Sequence, residues 1–371
     1  MLLCCFEVGK IETAAVPGKL VGGRYELVEP AGRGGMATVW RAVVNGAGGF
    51  QRTVAVKQMH PHLAENAHYV EMFYEEARIG AVFNDPNIPQ VYDCIEDDGD
   101  YYLAMEWVEG IDLGSYVRYC TDRGTRTRWE LVTAVGIGML RGLAAAHERR
   151  LDNGELAPIV HRDVSPHNVL LSTTGQVKLI DFGLSLARDR HKNMTEPGVV
   201  KGKMAYLSPG VVAGARPTAA TDQFSSGTVL WESLVGRRLF PGANDFEVYK
   251  MMREAQIQPL RPLRPDAPKP LVSVIMRALS AKEGDRYPSV REMARQLALV
   301  LRQNRARRDL HVMLGREVIE ARANLDIGRK THDPADETPI QDVDSALMTP
   351  AEGTVARRGL LHWIPFVGKR G

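Results

Sequence analysis

The tightest constraint on the fold is a change of hydrophobic period near residue 110. Before it, apolar and polar residues alternate over short runs: "RYELVEPAG" (24–32), "ATVWRAVV" (37–44), "TVAVKQM" (53–59), "IPQVYDCIED" (88–97) and "YYLAMEWV" (101–108). Turn residues such as "NGAGG" and "DDGD" separate them. A period of two marks half-buried strands. A single segment in this half, "ENAHYVEMFYEEARIGAVF" (65–83), repeats at helical spacing instead. From Leu113 onward the helical period takes over, most clearly in "LVTAVGIGMLRGLAAAHERR" (131–150), "TAATDQFSSGTVLWESLVG" (218–236) and "SVREMARQLALVLRQN" (289–304). Strand character returns only at "NVLLS" and "QVKLID", around the turn "TTG". Strands followed by helices predict an α+β chain of two lobes. The first holds a five-stranded antiparallel sheet plus one helix, the second is mainly helical, and they join near residues 106–112.

With 44% apolar and 25% charged residues, the 371-residue chain can bury a sizeable core. Its formal net charge of +2 supplies no field for nucleic acid or an anionic membrane. Cys4, Cys5, Cys94 and Cys120 show neither metal-ligand spacing nor a disulfide framework, which points to a reducing cytoplasm. No apolar run approaches the roughly 20 residues of a membrane span. The start, "MLLCCFEVGK", lacks a basic region, so no signal peptide is expected. The expected organisation is an irregular extension (1–23), one domain (24–303, lobes 24–107 and 108–303) and a tail (304–371). In the tail, "LHVMLGREVIEARANL" reads as a candidate helix, followed by a Pro-, Thr- and acid-rich stretch expected to be disordered. The final patch Leu360–Val367, with Trp363 and flanking basic residues, suits docking on a partner, on the chain's own domain or peripherally on a membrane.

Four stretches carry chemistry. In "AGRGGMATVW" (31–40), Gly32 and Gly34 let a strand-turn-strand approach phosphate oxygens with backbone N–H groups. Taken alone, it is equally a Gly-rich hairpin tip. A dinucleotide fold would need a helix next and an acid about 20 residues on. Here a strand follows, and the residue 20 positions after Ala37 is Lys57. An ammonium at the end of the apolar strand "VAVK" calls for a carboxylate, and Glu76 or Glu75 on the following helix is the candidate. "HRDVSPHN" (161–168) places Asp163 and Asn168 on one loop, and "LIDFG" ends a short strand at Asp181. Asn168 and Asp181 offer two hard oxygen ligands suited to Mg²⁺. Asp163 is then left to take a proton from, or orient, a hydroxyl.

In this order, GxGGMA, VAVK, HRDVxxxN and DFG resemble the eukaryotic-type (Hanks-type) Ser/Thr protein kinases, and "GRGGMATVW" and "YLSP" resemble its bacterial members. The resemblance spans about residues 25–301. It implies the bilobal protein-kinase fold, ATP and Mg²⁺ as cofactors, protein substrates, and transfer of the γ-phosphoryl group to their hydroxyls. It implies that Ala31, Gly32, Arg33, Gly34, Gly35, Met36, Ala37, Thr38 and Val39 cover the phosphates and that Lys57 pairs with Glu76. It casts Asp163 as catalytic base, Asn168 and Asp181 as metal ligands, and Asp222 as a brace for the catalytic loop. Met105 resembles the gatekeeper, and the backbones of Glu106 and Val108 would meet adenine. Self-association for autophosphorylation, with Thr195 as the site and Arg162 as the phosphate's partner, belongs to the same expectation.

Departures from the pattern are equally informative. Ala37 replaces the third glycine of the phosphate-binding loop. Gly210 stands where the family carries a glutamate that pairs with a late arginine, which Arg286 resembles. Arg286 must therefore find another acceptor, or the substrate-side subdomain loosens. Ser165 occupies the place of the usual lysine and Lys203 that of the usual threonine, so the two are candidates for an exchange of roles; the alternative leaves Lys203 in solvent. Gly210 and Ser165 keep a nucleotide- or partner-binding pseudokinase open as an alternative. A small-molecule phosphotransferase fits "GKMAYLSP" poorly, because that segment resembles a protein-substrate platform.

Overall fold

The computed structural model of the chain describes residues 15–151, 153–182, 204–242, 244–304 and 309–331. The first lobe is an antiparallel sheet of β1 (Leu20–Val21), β2 (Tyr25–Arg33), β3 (Ala37–Asn45), β4 (Gln51–Met59), β5 (Val91–Asp97) and β6 (Asp100–Glu106), in the order β1-β2-β3-β4-β6-β5. Five of these are the expected strands. The sixth, β1, comes from the lead-in expected to be irregular: Val21 is fully buried and Leu20 pairs with Glu26. A two-residue strand is too short to show a period, which is why its pattern is silent. In β2 the register to β3 shifts between Pro30 and Gly32, a break suited to a proline that cannot donate to the ladder.

Helix α1 (Pro61–Ala64) leads into α2 (Ala67–Ala81), which starts where Asn66 Oδ1 accepts the His68 N–H at 3.0 Å. It buries Phe73 and Ala77 with Met59 of β4 and Leu103 of β6. That packing fixes which helix face points at the sheet.

The second lobe opens with β7 (Gly110–Asp112), α3 (Leu113–Asp122) and α4 (Trp129–His147). Next come β8 (Val169–Ser172), β9 (Val177–Leu179), α5 (Pro209–Val212) and α6 (Ala219–Val235). It closes with α7 (Asp245–Arg253), α8 (Leu260–Leu263), α9 (Lys269–Ala278), α10 (Val290–Gln303) and α11 (Leu310–Thr331). Among the described residues only α4 is long and apolar enough to cross a membrane, yet 72% of its apolar stretch is buried in the protein. It is apolar all round because it is the central core helix of this lobe. Strands β7, β8 and β9 form a small antiparallel sheet just past the connection between the lobes. α6 begins with a capping box between Thr218 and Thr221 and ends on Gly236 at φ 79°.

Candidate active site

The Gly-rich segment forms the hairpin between β2 and β3, closed by the Gly34 N–H donating to the Ala37 carbonyl at 2.9 Å. Residues Ala31 to Gly35 are exposed, Met36, Thr38 and Val39 are half-buried, and Ala37 is buried. The methyl group of Ala37 therefore fits inside the sheet's packing rather than obstructing the exposed tip. The Met36 carbonyl accepts the His60 N–H at 3.0 Å, anchoring the hairpin to the end of β4.

Lys57 lies on β4 opposite Val39. Its ammonium donates to Glu76 Oε1 at 2.5 Å and to Asp181 Oδ1 at 2.9 Å. Of the two candidate partners, the helix brings in Glu76, while Glu75 one residue earlier is exposed. Burial works against the charge on Lys57, but Asp181 and Glu76 outweigh it and hold its pKa above the usual lysine value. One cation thus ties the sheet, α2 and the segment after β9 together.

Asp163 and Asn168 lie on the buried loop before β8. Asn168 Nδ2 donates to the Asp163 carbonyl at 2.7 Å and to Asp163 Oδ2 at 3.2 Å. The Asn168 carbonyl accepts the Ile180 N–H at 3.0 Å, which ties Asp181 to this loop through its neighbour. Beneath it, the fully buried Asp222 accepts from His161 N–H and Arg162 N–H, each at 2.8 Å, and contacts His147 Nε2 at 2.8 Å. Arg162 (φ 68°) and Asp181 (φ 54°) both occupy the left-handed region, which costs a non-glycine residue about 1 kcal/mol or more. Burial holds the His161 pKa below the usual histidine value, so the ring stays neutral. It accepts the Asp163 N–H at Nδ1 (3.3 Å) and reaches the Ile180 carbonyl with Nε2 (3.0 Å). Phe182 stacks between His161 and Phe83, with ring centroids 4.7 and 4.9 Å apart.

These residues fit a Mg²⁺–nucleotide complex. The Asn168 amide nitrogen is committed to Asp163, so its remaining polar atom is the oxygen Oδ1, and Asp181 contributes a carboxylate. Two hard oxygen donors suit Mg²⁺ when phosphate and water complete the shell.

At the lobe connection, Met105 packs on the Met59, Phe73 and Leu103 cluster. The Glu106 N–H donates to the Gln90 carbonyl at 2.8 Å, and Glu106 Oε2 accepts from Lys178 Nζ at 2.7 Å. Val108 is half-buried two residues on.

Arg286 has found other acceptors. It is 2% exposed, and its guanidinium donates to the carbonyls of Ser280 (2.8 Å), Ala220 (2.8 Å) and Ala281 (3.1 Å). It also lies 5.1 Å from the Phe224 ring centroid. A Cβ added at Gly210 would meet nothing nearer than Ala215 Cβ at 3.9 Å. Gly210→Glu is therefore expected to change stability by less than about 1 kcal/mol, whereas Arg286→Met leaves three part-buried carbonyls without their donor and costs about 3 kcal/mol. Urea unfolding of the two variants checks both values.

The protein kinase domain family matches residues 25–298. The chain belongs to that family. Curated relatives of this kinase domain include the tyrosine-protein kinase MasK of Myxococcus xanthus, 38% identical over 79% of this chain and 45% of its own length. The probable serine/threonine-protein kinase pknA2 of Bifidobacterium longum is 36% identical over 64% of this chain and 30% of its own. PrkC of Bacillus subtilis, a serine/threonine-protein kinase, is 30% identical over 74% and 40%. The chain thus spans between 30% and 45% of the length of these relatives. The solved kinase domain of PknI from Mycobacterium tuberculosis is 26% identical with a TM-score of 0.56, over 78% of this chain and all of that one.

The structure gathers Lys57, Glu76 and Asp181 in one ion-paired group and Asp163 and Asn168 in a second, linked through the Ile180 N–H. The Gly-rich hairpin joins β2 to β3, the strand beside Lys57 on β4. Ser165 is buried two residues from Asp163. Lys203, Thr195 and the Leu360–Val367 patch lie outside the described residues. Sequence reasoning missed Lys178 and His147. A lysine at the centre of the apolar strand "QVKLID" is the signal for the first. Nothing local marks His147, which ends an ordinary helix.

Proposed function

We propose that this chain is an ATP-dependent protein kinase of bacterial signalling that phosphorylates serine and threonine hydroxyls of proteins. The observation that carries this is the continuous system Glu76–Lys57–Asp181, joined through Ile180 to Asn168 and Asp163. It unites a phosphate-binding cation, two metal-binding oxygens and a proton acceptor. The hairpin 31–39 covers the phosphates with backbone donors, and Lys57 holds two of them as a point charge. Asn168 and Asp181 hold Mg²⁺, which supplies charge neutralisation for the phosphates when bound. Asp163 orients the acceptor hydroxyl and takes its proton as the new O–P bond forms and the bond to ADP breaks. Met105, with the backbones of Glu106 and Val108, lines the adenine end.

Ser165 and Lys203 exchange the roles their positions hold in the family, the ammonium from Lys203 and the hydroxyl from Ser165 both serving near Asp163. Arg162, whose Nε is buried without a hydrogen-bond partner among the described residues, supports capture of a phosphate on the activation segment at Thr195. Autophosphorylation there requires self-association. The proposed catalytic unit is residues 24–303, and use of ATP together with the free thiols of Cys94 and Cys120 supports a reaction in the cytoplasm.

Incubation of the full chain with γ-labelled ATP, Mg²⁺ and a mixed protein acceptor tests the reading. Label on serine or threonine is expected, falling by at least about a hundredfold in Asp163→Asn. Lys203→Met lowers it too if the exchange holds, and leaves it unchanged if Lys203 faces solvent. Label on tyrosine would shift the acceptor class towards that in MasK's name. No label, with nucleotide still bound, would make the chain a pseudokinase.

A further inference from the structure

Helix α11 begins twelve residues beyond the family match, which ends at residue 298. It nevertheless packs on the second lobe through Leu314, Val318 and Ala321, all at most 1% exposed. The approach is close. A Cβ added at Gly315 would sit 2.5 Å from the Thr173 carbonyl oxygen, and one added at Gly175, at φ 78°, would sit 1.8 Å from the His311 carbonyl oxygen. Only glycine at both places lets the helix lie on the β8–β9 turn.

Three polar contacts of α11 run towards the start of the second lobe. Glu317 accepts from the Tyr116 hydroxyl, and Glu320 accepts from the Tyr119 hydroxyl at 2.8 Å. Arg322 pairs with Glu109. Glu109 also accepts from Trp107 Nε1 at 2.6 Å through its other oxygen, and its carbonyl accepts the Thr173 N–H at 2.8 Å. Trp107 and Glu109 flank Val108 in the connection between the lobes. Arg322, Glu109 and Trp107 thus form a relay from the tail helix to that segment.

We propose that α11 is a brace for the interlobe connection and that Arg322 is a positioning residue for nucleotide binding. This rests on the reading of Glu106 and Val108 as the adenine edge. Lys178 fixes the connection from one side through Glu106, and α11 fixes it from the other through Glu109. Without Arg322, the Glu109 carboxylate is free to turn into water and release the Trp107 indole. The backbone at 106–108 then samples more conformations, and a nucleotide must order it on binding, which weakens affinity.

The test measures affinity for a fluorescent ATP analogue and the urea unfolding midpoint, using the full chain. Arg322→Glu sets two carboxylates against each other and is expected to weaken nucleotide binding two- to fivefold, the range of an exposed ion pair, with Arg322→Lys recovering most of it. Gly315→Leu, which lifts the helix off Thr173, is expected to weaken binding about tenfold through loss of the whole brace. Unchanged affinity in both Arg322→Glu and Gly315→Leu would overturn the brace. So would a loss that Arg322→Lys fails to recover and that tracks the unfolding midpoint, since that is a merely structural helix. A wild-type chain that binds no nucleotide would instead refute the kinase reading, and this proposal with it.

Discussion

Lys57→Met is expected to lower phosphoryl transfer by a factor of about a hundred to a thousand while leaving the chain folded. The Lys57 side chain is 14% exposed, and its ammonium is held by Glu76 and Asp181 at once. Methionine keeps the stem's volume but leaves two carboxylates near each other without their cation. On the proposed reading the phosphates lose a donor, and Asp181 loses its contact with the ammonium. The folded pKa of Lys57 lies above its unfolded value. Its ion pairs therefore contribute fully below the unfolded value and are lost only as pH rises through the folded one. Lys57 stays charged across the neutral range, so it adds no inflection to a pH–rate profile between about pH 6 and 9. A labelled-ATP assay of Lys57→Met that retains more than a tenth of wild-type turnover would remove Lys57 from the phosphate site.

Asp222→Ala should be the most damaging single change to stability. Asp222 has no exposure and receives two backbone N–H groups and the His147 ring, all at 2.8 Å. Alanine strands these three donors at about 1–3 kcal/mol each, giving a loss of roughly 3–9 kcal/mol. The same carboxylate holds Arg162 at φ 68°, so the loop carrying Asp163 relaxes with it. Asp222→Asn, which retains one acceptor oxygen, should fall between the two. Urea denaturation followed by tryptophan fluorescence measures both, and a loss below about 1 kcal/mol in Asp222→Ala would refute the bracing role.

Much of the site was legible because phosphoryl transfer demands particular side chains in a particular order. The spacing of "VAVK", "HRD", Asn168 and "DFG" announces them, and the period change near residue 110 announces the lobes. Choosing Glu76 over its neighbour Glu75 was not legible from charge. The phase of α2 against the sheet makes that choice, because Phe73 and Ala77 point inward. The partners of Arg286 were hidden for a different reason. Backbone carbonyls have no residue identity, so the loss of a glutamate at position 210 looked like an orphaned buried cation when three carbonyls already satisfy it. The edge strand β1 was too short to show a period.

By itself, then, the sequence determined the strand-then-helix order, the Gly-rich hairpin and the order of the candidate residues Lys57, Asp163, Asn168 and Asp181. These are local properties, set by side-chain type and spacing within a few dozen residues. Only the tertiary structure decided that Lys178 anchors Glu106, that Asp222 gathers three donors from two segments, and that α11 lies against the β8–β9 turn and reaches Glu109. Each joins segments distant along the chain, such as Arg322 and Glu109, 213 residues apart. Whether such a pair meets depends on packing of the intervening core, and no pattern in either segment records it.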